Sequence, residues 1–247
     1  MNYFNPEDTI CAITTGGGMS AIAIIRISGS KAIEITNTVF SKEISERKTH
    51  TLHFGDFIHK KEVVDEILVS IFRGSKSFTG EESVEISCHG SVYIQNKIIQ
   101  ILIENGCRLA TAGEFSMRAF KNGKIDLTQA ESVADLIESE SEAAHKTALN
   151  QLKGGVSSTL KKLRDQLIDF ASLIELELDF SEEDVEFADR EEFNDLLKNI
   201  KSELEKLIQS FKLGNSIKNG IAVTILGAPN VGKSTLLNRL LNEDKAI

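Results

Sequence analysis

The chain has 247 residues, 41% apolar and 26% charged, with no Trp and a formal net charge of -9. This is the composition of a globular protein with room for one large or two ordinary cores; no apolar run reaches the ~18 residues that span a bilayer, and residues 1–8 lack the basic-then-apolar order of a signal peptide. The acidic excess is concentrated: residues 1–118 hold 12 basic and 14 acidic side chains, 119–219 hold 13 and 21, and 220–247 hold 3 and 2, which excludes a broad polyanion-binding surface and leaves a local basic patch or a partner to meet any nucleic acid.

Residues 1–118 read as mixed α and β. Thr9–Thr14 is a short strand candidate followed by the flexible turn Thr15-Gly-Gly-Gly18, and Ala21–Ser28 is a buried-strand pattern interrupted only by Arg26. A guanidinium there needs a partner, either an internal Asp or Glu or a ligand carboxylate. Lys31–Phe40 is predicted helical, Thr51–Ile58 and Glu66–Phe72 are further strands, and Lys60 and Lys61 mark the turn between them. In Ser83–Cys88 the alternation puts Val84, Ile86 and Cys88 on one face and Ser83, Glu85 and Ser87 on the other. Glu85 suits an acceptor for a ligand's N–H groups, or a solvated edge-strand glutamate; His89 beside Gly90 reads as a turn or capping residue. Val92–Asn105 is an amphipathic helix closed by Gly106, and Cys107–Thr111 a last short strand. Cys11, Cys88 and Cys107 show no C-x-x-C spacing, so they read as small packed residues in a reduced setting, not as a zinc or disulfide framework.

From Gly113 the pattern becomes helical. Glu114–Phe120 is a short amphipathic piece ending at Asn122-Gly123. Thr128-Gln-Ala-Glu131 has capping-box spacing, with apolar periodicity running on to Gly154-Gly155. A helix from Val156 to Leu178 and another from Phe193 to Phe211, stopping at Gly214, carry apolar stripes of the kind that form bundle cores; the acidic run Glu182–Glu192 between them is a solvated loop and helix start.

The last segment specifies its ligand. Ile221–Leu226 reads as a strand, Gly227-Ala-Pro-Asn-Val-Gly-Lys-Ser234 follows the G-x-x-x-x-G-K-S spacing of a P-loop, and Thr235–Leu241 is helical. Glycines let the backbone wrap a pyrophosphate, successive N–H groups and the helix N-terminus face its oxygens, Lys233 adds a point charge and Ser234 offers a hydroxyl to Mg2+.

Together these segments resemble one family, the tRNA-modifying GTPases of the MnmE (TrmE) type. The resemblance rests on Gly16-Gly-Gly with Ile25-Arg-Ile-Ser-Gly29, on Ser77-Phe-Thr-Gly-Glu81 through Glu85 to His89-Gly90, on Gly113–Leu127 with Gln129-Ala-Glu131, on Leu178–Glu183 and on Gly227–Asn238; Ser91, Ala112 and Thr14-Thr15 depart from its usual pattern. It implies a multidomain α+β protein: a mixed α/β folate-binding and dimerisation domain over 1–118, similar to the glycine-cleavage T-protein, the first part of a helical domain over 119–218, and over 219–247 the first strand, P-loop and helix of a P-loop GTPase domain. It further implies that Arg26, Glu85 and Lys124 contact 5-formyltetrahydrofolate or a related tetrahydrofolate, that Asn230, Val231, Gly232, Lys233, Ser234 and Thr235 contact GTP, and that Asn230 holds K+ and Ser234 Mg2+. Implied partners are a second copy of the chain, an FAD-dependent MnmG (GidA) protein in a heterotetramer, and tRNA, in the cytoplasm and with no membrane. The family continues past the position of Ile247 with switch segments and guanine-reading motifs, so the expectation is a GTPase domain truncated here and inactive by itself. A regulatory or ribosome-assembly GTPase switch with an N-terminal docking module is the alternative, because Pro-Asn-Val-Gly-Lys-Ser alone does not separate the two; an aminomethyltransferase-like folate protein is a third reading, against which the P-loop speaks.

Overall fold

The computed structural model describes residues 8–179, 189–219 and 223–241. Two compact units are present, one formed by residues up to 137 with 148–160, the other by 138–147 with 161–247.

In the first unit the strands are β1 (Ile10–Ile13), β2 (Ile22–Ser28), β3 (Thr51–His59), β4 (Glu62–Phe72), β5 (Ser83–His89) and β6 (Arg108–Leu109), with helices α1 (Ala32–Val39) and α2 (Val92–Glu104) between them. They form one sheet in the order β3-β4-β5-β2-β1-β6, antiparallel except for the β1/β6 pair. Period-two alternation sends Ala23, Ile25 and Ile27 of β2, Val84, Ile86 and Cys88 of β5, and Ile67, Val69 and Ile71 of β4 to one face. There they pack with Ile33, Ile35 and Val39 of α1 and Ile98, Ile101 and Leu102 of α2 in a single buried cluster. The three cysteines are free and buried in that cluster. The β3/β4 hairpin turns at Lys60 and Lys61, both at positive φ (50° and 71°), the left-handed geometry of a tight hairpin turn.

Helix α3 (Glu114–Lys121) follows β6, then come α4 (Leu127–Glu138), α5 (Glu142–Leu152) and α6 (Gly155–Asp179). Two details differ from the sequence pattern. The capping box sits two residues earlier than Thr128–Glu131: Gln129 N–H donates to Asp126 Oδ1 and Asp126 N–H donates to Gln129 Oε1, both at 2.9 Å. The predicted single helix up to Gly154 is broken between Glu138 and Glu142, because Ser141 caps a new one, its Oγ accepting from Ala144 N–H at 3.2 Å. Gln129 Nε2 donates to Leu152 O at 2.7 Å and Thr128 Oγ1 lies 2.7 Å from Ser157 Oγ, tying α4 to residues 152–157.

In the second unit, α7 (Arg190–Asn219) runs on past Gly214, where the sequence pattern predicts an end; one internal glycine costs about 1 kcal/mol, too little to stop a helix of this length. Phe170 of α6 and Phe193 of α7 stack with ring centroids 4.5 Å apart. Most of the acidic loop that precedes α7 lies outside the described residues. Helix α8 (Lys233–Leu241) forms as expected, but residues 223–226 make no strand ladder, since no described strand lies alongside to accept their N–H groups; residues 221 and 222 lie outside the described residues.

Candidate ligand site on the open sheet face

The face of the sheet turned away from α1 and α2 carries Arg26 and Glu85 side by side. β2 and β5 pair with Arg26 opposite Glu85, and Arg26 Nε and Nη2 both donate to Glu85 Oε1, at 2.9 and 2.7 Å. β5 lies between β4 and β2, so Glu85 is not the edge-strand glutamate that the pattern also allowed. Both side chains are 24% exposed, which leaves them reachable from solvent. The guanidinium carbon of Arg26 lies 5.4 Å from the ring centroids of both Phe78 and Phe115; the two rings fix the cation by cation–π attraction and shield it from water on those sides. Since Glu85 Oε1 takes both hydrogen bonds, Oε2 is available to accept from a ligand N–H.

Lys124 reaches the same loop from the other end of α3. Its Nζ donates to Ser75 O at 2.6 Å, Asn122 Nδ2 donates to Thr79 O at 2.7 Å, and a Cβ on Gly80 would sit 3.2 Å from Lys124 Cγ. The loop that lays Phe78 against Arg26 is therefore the one that holds Lys124. The structure thus brings Arg26 and Glu85 into direct contact and places Lys124 against their neighbouring loop, its ammonium on a carbonyl and not on the pair.

Beneath the site runs a buried ionic network that sequence reasoning did not find. Arg118, 2% exposed, donates from Nη1 to Glu81 Oε2 at 3.1 Å and to Asp8 O at 2.8 Å, and from Nη2 to Glu114 Oε1 at 3.2 Å. Glu114, fully buried, also takes Arg108 Nη2 at 2.6 Å and the backbone N–H of Thr111 at 2.9 Å. Burial by itself would raise the Glu114 pKa, but the Arg108 hydrogen bonds and the Thr111 N–H bring it down to about 2. Glu81 Oε2 accepts from Ser28 Oγ at 2.8 Å, and Ser28 Oγ lies 2.6 Å from Thr79 Oγ1. These bonds lock α3, the 77–82 loop and β2 together, and with them Phe115, Phe78 and Arg26. The available signal was the Glu114/Arg118 spacing of i,i+4.

In the second unit the residues expected to hold GTP lie on one turn and the start of α8. Asn230 and Gly232 have positive φ (61° and 93°), and Lys233 Nζ donates to Gly227 O at 3.1 Å and to Ala228 O at 2.7 Å, so the ammonium lies over the turn. A Cβ on Gly227 would meet Val231 Cγ2 at 3.2 Å and Lys233 Cδ at 3.7 Å, so the turn curls tightly on itself. Ser234 and Thr235 lie in the first turn of α8.

Comparison with known proteins bears on both regions. Residues 9–124 match the family model described as "GTP-binding protein TrmE N-terminus", and residues 127–245 match the one described as "MnmE helical domain". The chain belongs to the MnmE (TrmE) family. The MnmE helical match takes in the P-loop segment as well as α4 to α7. The chain is 58% identical over 245 residues to the tRNA modification GTPase MnmE of Flavobacterium johnsoniae and 59% identical to that of Flavobacterium psychrophilum, covering 98% of this chain and 53% of each relative. It is 56% identical over 246 residues to the MnmE of Bacteroides thetaiotaomicron, again covering 98% of this chain and 53% of the relative. The chain therefore spans about half the length of the curated MnmE relatives it matches. Among the described residues no helix is long and apolar enough to cross a membrane.

Proposed function

We propose that the chain supplies the one-carbon-carrier site of a tRNA modification GTPase. The observation that carries this reading is the Arg26–Glu85 pair, half-buried between two phenylalanine rings on an uncovered sheet face. In it, Glu85 accepts from the N–H edge of the pterin of 5-formyltetrahydrofolate or a related tetrahydrofolate, Arg26 orients that carboxylate at the same end of the ligand, and Lys124 meets a glutamate carboxylate. Residues 1–118 bind the folate and form a homodimer, 119–218 are the first part of the helical domain and 219–247 begin the GTPase domain. Asn230 to Thr235 hold GTP, with K+ on Asn230 and Mg2+ on Ser234; the ions neutralise phosphate charge during hydrolysis.

In this reading the protein works in the cytoplasm with an FAD-dependent MnmG (GidA) partner in a heterotetramer. It installs a carboxymethylaminomethyl or aminomethyl group at C5 of the wobble uridine of certain tRNAs, with hydrolysis driving domain rearrangement. The curled P-loop turn and the names of the relatives support it. The alternative, a regulatory or ribosome-assembly switch with a docking module, gives no reason for an arginine and a carboxylate to share one half-buried face.

Calorimetric titration of 5-formyltetrahydrofolate into wild type and Glu85→Ala tests the site. Loss of a charged acceptor is expected to weaken binding at least about tenfold, and equal affinities remove the assignment. Replacing K+ by Na+ in a GTPase assay of the protein expressed from its own gene tests Asn230: an unchanged rate refutes its proposed role.

A further inference from the structure

His89 closes β5, and on the period-two alternation it shares the open face with Glu85 and Ser87. Asp65 comes from the core-facing series of β4 and is 8% exposed. Both oxygens of this carboxylate are spent on His89: Oδ2 accepts the backbone N–H at 2.8 Å and Oδ1 lies 2.6 Å from ring Nδ1. A carboxylate only accepts, so Nδ1 carries a proton toward Asp65, and Nε2 is the nitrogen through which the ring can exchange a proton with a ligand. The ring itself is 64% exposed. We propose that His89, aimed by Asp65, is a proton acceptor for a ligand on the open sheet face.

The residue stands on a rigid base. A Cβ on Gly90 would lie 2.2 Å from Ser20 O, so the 18–21 backbone presses directly on the end of β5; Gly90 N–H donates to Ala21 O, and Ser20 N–H to Gly90 O. The buried Gln95 adds Nε2 bonds to Gly90 O at 2.9 Å and to Gly18 O at 3.2 Å. Ile22, its cross-strand partner, stands 63% exposed, an accessible apolar neighbour for a ligand. If the role were only to satisfy Asp65, a side chain with one donor would do as well, and an imidazole with its far edge in solvent would add nothing.

His89 lies four residues along β5 from Glu85, about 13 Å at the rise of a strand. It therefore addresses not the pterin but the protic nucleophile that takes the one-carbon unit, an assignment that rests on the one-carbon reading of this face. That nucleophile gives its N–H or O–H proton to Nε2 as its lone pair bonds to the one-carbon unit; the C–N bond to the folate nitrogen breaks, and the imidazolium, stabilised by Asp65, passes the proton to that departing nitrogen.

Asparagine separates the two roles, because its Nδ2 stands where Nδ1 stands and keeps the bond to Asp65 but leaves no base. With His89→Asn at the genomic locus, the expected outcome is wild-type thermal stability and 5-formyltetrahydrofolate affinity of the purified protein, with wobble-uridine modification in total tRNA lowered about 100-fold. Modification at the wild-type level overturns the proposal. A folate affinity of zero in wild type itself overturns the reading of the face first and this inference with it. Independently of folding in any variant, 15N spectra of the wild-type chain must show the neutral His89 ring with its proton on Nδ1 and not on Nε2; a neutral ring with its proton on Nε2 refutes the assignment.

Discussion

The sheet unit and the helical unit place their apolar and charged groups in opposite ways. In the first, Ile25, Ile27, Ile86 and Ile101 are wholly buried and an arginine and a glutamate are enclosed with them. In the second, Leu173, Leu197 and Leu204 are 40–42% exposed, Phe170 is the buried apolar residue among those described, and ion pairs such as Lys198–Asp195 and Lys206–Glu203 stand in solvent at i,i+3 spacing. A face that must hold a guanidinium against a carboxylate within hydrogen-bond distance needs neighbours that cannot move, and close-packed interior supplies them. Helices with half-exposed stripes owe more to local propensity and await further packing surface.

That contrast can be broken at the buried network. Arg118→Ala leaves Glu114 and Glu81 without the cation that bridges them and is expected to cost about 3–5 kcal/mol in urea unfolding followed by circular dichroism; a loss below about 1 kcal/mol, the ceiling for most surface pairs, would mean that the network is no better than one. The pH response follows from Glu114. Its folded pKa of about 2 lies below the ordinary carboxyl value of 4.5, so its contribution is complete above pH ~4.5 and disappears as pH falls toward 2. Glu114→Gln should lower stability at neutral pH and flatten acid unfolding over that window; an unaltered acid profile contradicts the ion-pair account. Asp126→Ala removes the N-cap of α4 and is expected to cost about 1 kcal/mol, checked by the same unfolding curves. At the small end, Lys206→Ala should change stability by no more than ~0.5 kcal/mol, and a larger effect would show that the helical unit relies on its surface charges.

How much of this was legible in the sequence varies with the range of the interactions. Alternation over Ser83–Cys88 gave both faces of β5, and one arginine in an apolar strand announced that a partner was needed. Which partner was not readable, because the answer lies 59 residues away and depends on strand order. The same holds for Arg118, whose contacts to Glu81 and Asp8 are 37 and 110 residues distant. At short range, one hydrogen bond decided each error. Thr128 looked like a cap, but Asp126 offers an acceptor at the helix start; periodicity ran through Ser139–Ser141, but Ser141 could restart the helix. The P-loop spacing located its lysine, its glycines and the helix after them, whereas the strand before it depends on a neighbour that spacing does not supply.

The pairing of Arg26 with Glu85 has a kinetic side. The β3/β4 hairpin closes through two residues, Lys60 and Lys61, and α2 is local, so both can form within microseconds. β2 meets β5 only after the chain between residues 26 and 85 has been looped, a non-local closure whose entropy must be lost before any ladder bond is gained. In a refolding experiment the hairpin and helix signals should therefore precede the charge pair. On the proposed reading of this face, ligand binding becomes a clock for that long-range contact.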